Sequence, residues 1–166
     1  MEKYINALID MLKDESSLIG QLIELSREKN KALTNIQIED INEIVLKEQF
    51  VQGKIDKLED ERVRLNSEIA KALNVNNDTL TVTEILNYVD DGKKEELKNI
   101  RDEIKEKISE YKKINSQNID IINNHLEYVN FMMHEILGED EKSLVYGQKG
   151  ETKKDGTMRK YYDNKA

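Results

Sequence analysis

Few residues in this 166-residue chain could do chemistry. The histidines are His125 and His134, and two inward carboxylates, Glu15 and Glu48, sit on apolar helical repeats. A carboxylate-bridged metal pair inside a helical bundle would need Glu-x-x-His spacing, which the chain lacks. His125 and His134 are nine residues apart, about two and a half turns, too far for a two-ligand clip. There is no His-Glu-x-x-His, phosphate-binding glycine loop or dinucleotide fingerprint. Zero cysteine excludes a disulfide scaffold, cysteine-ligated zinc and thiol catalysis. The expectation is a protein that is not an enzyme, with no catalytic, cofactor-binding or metal residues.

The elements that would have to position a site are helices. Proline is absent, charged residues make up 36 % and aromatics 5 %. Such a composition suits long helices buried along one stripe and solvated elsewhere. A net charge of −8 argues against nucleic acid, and no apolar run approaches the length of a membrane span. Met1-Glu2-Lys3-Tyr4 carries no signal-peptide pattern, so the chain is expected to be cytoplasmic.

A heptad seam runs from about Lys3 to Thr34 through Ile5, Leu8, Leu12, Glu15, Ile19, Leu22, Ser26, Lys29, Leu33 and Ile36. After a tight connection at Thr34–Asp40, a second runs from about Glu39 to Leu73. Its members are Ile41, Ile44, Glu48, Val51, Ile55, Leu58, Arg62, Leu65, Ile69 and Ala72. A short connection makes the two helices antiparallel neighbours. Folding at the connection puts Lys29 opposite Glu48 and Glu15 opposite Arg62, so the four seam charges pair. The alternative is that these long side chains reach the helix edge separately.

Beyond the polar break at Asn74–Asp78, Thr81 and Glu84 have capping-box spacing for a short helix over 82–90, closed by Asp91-Gly92. A last helix runs from about Lys93 to Leu137, with Leu97, Ile100, Ile104, Ile108 and Tyr111 apolar and Asn115 and Asn118 on the stripe. The stripe resumes as Ile119, Ile122, Leu126, Val129, Met133 and Ile136. The expected fold is all-α: a long antiparallel hairpin and a third long helix in an elongated bundle, with one short connecting helix. Residues 1–137 form the body. Residues 138–166 form a weakly ordered, flexible tail, net +1 against −9 for the rest.

One surplus remains. Ile121, Tyr128, Phe131, Met132 and Leu137 widen the apolar face at the end of the last helix. Either the hairpin and the short helix bury this end on two sides, or it is a binding surface. The last helix outruns the hairpin, which favours binding. Tyr128, Phe131, Met132, Met133, Ile136 and Leu137 are then the candidate contacts, with Tyr146 as an anchor in the tail.

The order and spacing of Glu15, Leu22-Ile23-Glu24-Leu25, Lys29, Lys31-Ala32-Leu33, Glu48, Leu58-Glu59, Arg62, Asn115-x-x-Asn118, Tyr146-Gly147-x-x-Gly150 and Lys165-Ala166 resemble the FlgN-type flagellar secretion chaperones. The resemblance implies a cytosolic, non-enzymatic, all-helical chaperone. It would hold hook–filament junction (hook-associated) proteins unassembled and deliver them to the flagellar type III export apparatus, contacting export-gate or ATPase-complex components. It also implies that the C-terminal region takes the cargo. The competing reading is an oligomerising coiled-coil adaptor, whose apolar face closes on a second copy.

Overall fold

With no proline to stop them, the two heptad runs each form one uninterrupted helix. The computed structural model describes residues 2–75 and 80–137. Four helices follow in order: α1 (Glu2–Thr34), α2 (Ile38–Leu73), α3 (Val82–Ile85) and α4 (Asp91–Leu137), with no strand among the described residues. The chain divides between Ile119 and Asp120 into two compact units. The first holds α1, α2, α3 and α4 as far as Ile119; the second begins with the rest of α4.

In the first unit, the charges set the hairpin register. Lys29 Nζ lies 2.7 Å from Glu48 Oε2, with only 13 % of either side chain exposed. Arg62 Nε lies 3.8 Å from Glu15 Oε2. The hydrogen bonds of Arg62 go instead to Glu59, one turn back on α2, so one guanidinium serves two carboxylates. Water is largely excluded at both levels, which makes the opposite charge necessary rather than ornamental. Around them Leu8, Ile19, Leu22 and Ile69 are almost fully buried. Each such side chain contributes about 1.5–3 kcal/mol relative to an exposed position.

A second heptad stripe on α1, 90–100° around the helix from the Glu15/Leu22/Lys29 line, faces α4 instead. Ile9, Ser16 and Ile23 are buried on it. Lys13 pairs with Glu96, Arg27 with Glu110, and Asn30 with Asn118. Partner numbers rise together along both helices, so α4 runs parallel to α1. The stripe of Ile9, Ser16, Ile23 and Asn30 is matched at the same spacing by Leu97, Ile104, Tyr111 and Asn118. Asn118 is 1 % exposed. Its Nδ2 donates to the Ser26 carbonyl at 2.9 Å, and its Oδ1 accepts from Asn30 Nδ2 at 2.8 Å. Buried amides are tolerable when satisfied in this way.

α3 closes this unit's core beside α2. Thr81 Oγ1 accepts from the Glu84 N–H, and Glu84 Oε2 accepts from the Thr81 N–H at 2.7 Å, completing the expected capping box. Leu80, Val82, Ile85 and Leu86 are thereby turned into the core, and Asn66 Nδ2 secures the Leu80 carbonyl at 3.0 Å.

Several expectations change. Ile36 is not a seam residue: it is 63 % exposed and caps α1 with φ 54°. Ala72 is exposed, whereas Ala70 is buried in the core cluster that Leu80, Val82 and Ile85 join. The short helix stops at Ile85 rather than Asp90, and Gly92 is not its cap. Asp90 begins α4 instead: its Oδ1 accepts from the Lys93 N–H at 2.9 Å, drawing Gly92 into the first turn. Part of the break at Asn74–Asp78, and the whole of 138–166 with Tyr146, lie outside the described residues.

Candidate functional site

The sequence-derived contacts belong to the second unit, which opens with the end of α4. From Asp120 to Leu137 the helix carries Asp120, Glu127 and Glu135 but no lysine or arginine. The stripe expected as bundle core is largely solvent-facing: Ile122, Leu126, Val129 and Ile136 are all exposed, and Ile119 just before it is 49 % exposed. Of the two alternatives left open for this end of the helix, the exposure of these residues favours a free surface, and the apolar surface is wider than the flanking residues alone.

Among the residues singled out, Tyr128 is 63 % exposed, Phe131 58 %, Met132 38 % and Ile136 69 %. Tyr128, Phe131 and Met132 stand at i, i+3 and i+4, and Ile136 extends the row by a further turn. Met133 is half-buried, together with His134. The side chain of Leu137 and all of Tyr146 fall outside the description. An unbroken row of aromatic, thioether and aliphatic groups offers no nucleophile, base or ligand. It offers area that water leaves willingly and, through the methionine, a shape that adapts.

Among the described residues, no group of three or more acidic or histidine side chains could hold a metal ion. Glu15 and Glu48 are each occupied by a cation on the facing helix. Among the same residues, no helix is long and apolar enough to cross a membrane.

Sequence reasoning missed the second α1 stripe and its α4 partners. Its signal was the shared seven-residue period of Ile9, Ser16, Ile23 and Asn30, hidden because two of the four are polar. It also missed Leu46 and Phe50, both 67 % exposed on α2, where they line a groove shared with Gly20 and Leu25 of α1. Their spacing of four marks one helix face away from the seam.

A curated relative of the chain is an uncharacterized protein, YvyG, from Bacillus subtilis (strain 168), 27 % identical over 162 residues that cover 96 % of this chain and 98 % of the relative. No solved structure matches the chain significantly. The sequence model of the FlgN protein family matches residues 1–154, almost the whole chain. Matched over that span, and all-helical as described, the chain belongs to the FlgN family of flagellar export chaperones.

Proposed function

We propose that the chain is a cytoplasmic, non-enzymatic chaperone that binds hook–filament junction (hook-associated) proteins, keeps them unassembled and presents them to the flagellar type III export apparatus. The observation that carries this reading is the exposed row Tyr128, Phe131, Met132 and Ile136 on α4, in a chain of this family. Contiguous apolar surface on a helix is an aggregation hazard unless something covers it in use. A helical segment of the cargo supplies matching anchors at i, i+3, i+4 and i+7. Because the charges of Asp120–Leu137 are all acidic, the fitting segment is apolar along one face with lysine or arginine beside it. Covering such a segment blocks the helix packing by which a filament-forming protein would assemble.

Calorimetric titration with purified junction proteins tests this. Phe131→Ala and Met132→Ala should each weaken binding by about 1–3 kcal/mol with unchanged thermal melts. Wild-type affinity in both would remove the row from the binding site. Loss of affinity together with a lower melting temperature would assign these residues to the core instead.

A further inference from the structure

Lysine and arginine beside apolar side chains mark a segment that fits the end of α4, and this chain carries one such segment itself. On α4, Phe131 lies between Glu127 and Glu135, one turn before it and one turn after it on the same helix face. Both carboxylates are exposed, and neither is ion-paired among the described residues. Farther along the chain, Tyr161 and Tyr162 lie between Arg159-Lys160 and Lys165. That is the same arrangement, aromatic groups framed by charge, with the sign reversed. We propose that segment 157–166 folds back over the Phe131 face of α4 in the free chaperone and gives way to cargo. Its displacement by cargo rests on the chaperone reading; the fold-back does not.

Three observations favour this occupant. The first is charge. From Asp120 to Leu137 α4 has no lysine or arginine, and segment 157–166 sets Arg159, Lys160 and Lys165 against Asp163 alone. The nearer apolar group, Leu144-Val145-Tyr146, follows Glu139-Asp140-Glu141, which would bring like charge against Glu135. The second is what meets the ring. A guanidinium or ammonium gains from lying over Phe131, and a tyrosine from packing against its edge. Phe131 is 58 % exposed and Tyr128 63 %, so each has area to offer.

The third is position. Segment and face belong to one unit, which begins at Asp120. Phe131 is roughly 9 Å of helix from Leu137, and a random-coil connection as long as Gly138–Gly156 spans roughly 20–25 Å. Gly138, Gly147, Gly150 and Gly156 all fall in that connection, and no glycine falls in the segment. Such a tether sets an effective concentration on the order of 1 mM. A contact of equally weak intrinsic affinity then covers the face about half the time. The cover lowers the affinity for cargo by only about twofold, whereas a bare apolar face is an aggregation hazard.

The chain holds no cysteine, so a nitroxide on Asn164→Cys is a unique label in the full-length protein. In a dilute nitrogen-15 sample, it should broaden the amide signals from Tyr128 to Ile136. Arg159→Glu/Lys160→Glu should remove most of that broadening with circular dichroism unchanged. Adding Glu127→Lys/Glu135→Lys to that variant should bring it back. Absent broadening, broadening indifferent to the first reversal, or failure of the second to restore it would each overturn the fold-back. So would equal broadening when the nitroxide and the nitrogen-15 are on different molecules, which would make a second copy the occupant. Unlabelled junction protein should then relieve the broadening. If it binds and the broadening persists, the face is covered by the segment but is not the cargo site, and the displacement is overturned.

Discussion

Ile36 holds φ 54° at the end of α1, a left-handed conformation that crowds a β-branched side chain. It is there because the hairpin turn needs it. The Gln37 N–H reaches the Ala32 carbonyl at 2.9 Å and the Ile36 N–H reaches Leu33 at 3.2 Å, the paired bonds that close a helix through a left-handed residue. Asn74 does the same at the end of α2, with a residue type suited to it. Because the Ile36 side chain is mostly exposed, little burial offsets the strain. Ile36→Gly should therefore stabilise the protein by about 1 kcal/mol, the extra freedom of glycine in the unfolded chain removing part of the gain. A thermal melt should rise by roughly 2–4 °C. Asn118 is the opposite case, a polar residue whose every bond is inside. Asn118→Ala leaves Asn30 and the Ser26 carbonyl without their partner and should cost about 1–3 kcal/mol, read from chemical denaturation midpoints.

At the scale of elements, the two interfaces of α1 differ in kind. Its seam with α2 is apolar with two enclosed charge levels, whereas its contact with α4 is edged by exposed acid–base pairs. Ser16 lies under the second edge: its hydroxyl donates to Glu103 at 2.7 Å and accepts from Lys107 at 2.8 Å. Hydrogen bonding from Lys107, then from Ser16, holds the Glu103 carboxyl below the usual carboxylate range. Lys13, then Lys93, does the same for Glu96. A carboxyl lowered in the folded state stabilises the fold above its unfolded value of about 4.3. That stabilisation fades as pH falls through the lower, folded value. Acidification below about pH 4 should thus loosen the α1–α4 contact. In urea titrations across this range, Glu103→Gln should show a shallower loss of stability with falling pH than the wild type. Equal slopes would mean that Glu103 carries none of the dependence.

For the molecule as a whole, the large apolar side chains left exposed among the described residues gather in two main tracts. One tract is the end of α4 and the other is Leu46 and Phe50 on α2. Phe131→Ala should change titration with junction proteins while leaving circular dichroism unchanged. A protein that holds a client before export has reason to leave such a tract accessible, since a surface firmly satisfied internally has no affinity left to offer.

The sequence by itself determined what is local or periodic. Uninterrupted heptads dictated the helices, mirrored charges at Lys29, Glu48, Glu15 and Arg62 indicated the register, and Thr81 with Glu84 marked the cap. These follow from spacing along one chain, or along two segments joined by a short turn. Only tertiary structure decided which of two adjacent stripes on α1 meets which neighbour. An apolar residue on a helix announces that it avoids water, not what covers it. Ile9 and Ile23 lie on neither seam that the sequence marks, and spacing alone left open whether Ile122, Leu126 and Val129 are covered. Asp90 and Gly92 were legible as a break but not as a beginning, because Asp90 becomes a cap only when its side chain receives the Lys93 N–H. The exposure of Leu46 and Phe50 was likewise a tertiary outcome: α1 covers the seam of α2, and these two side chains lie off it.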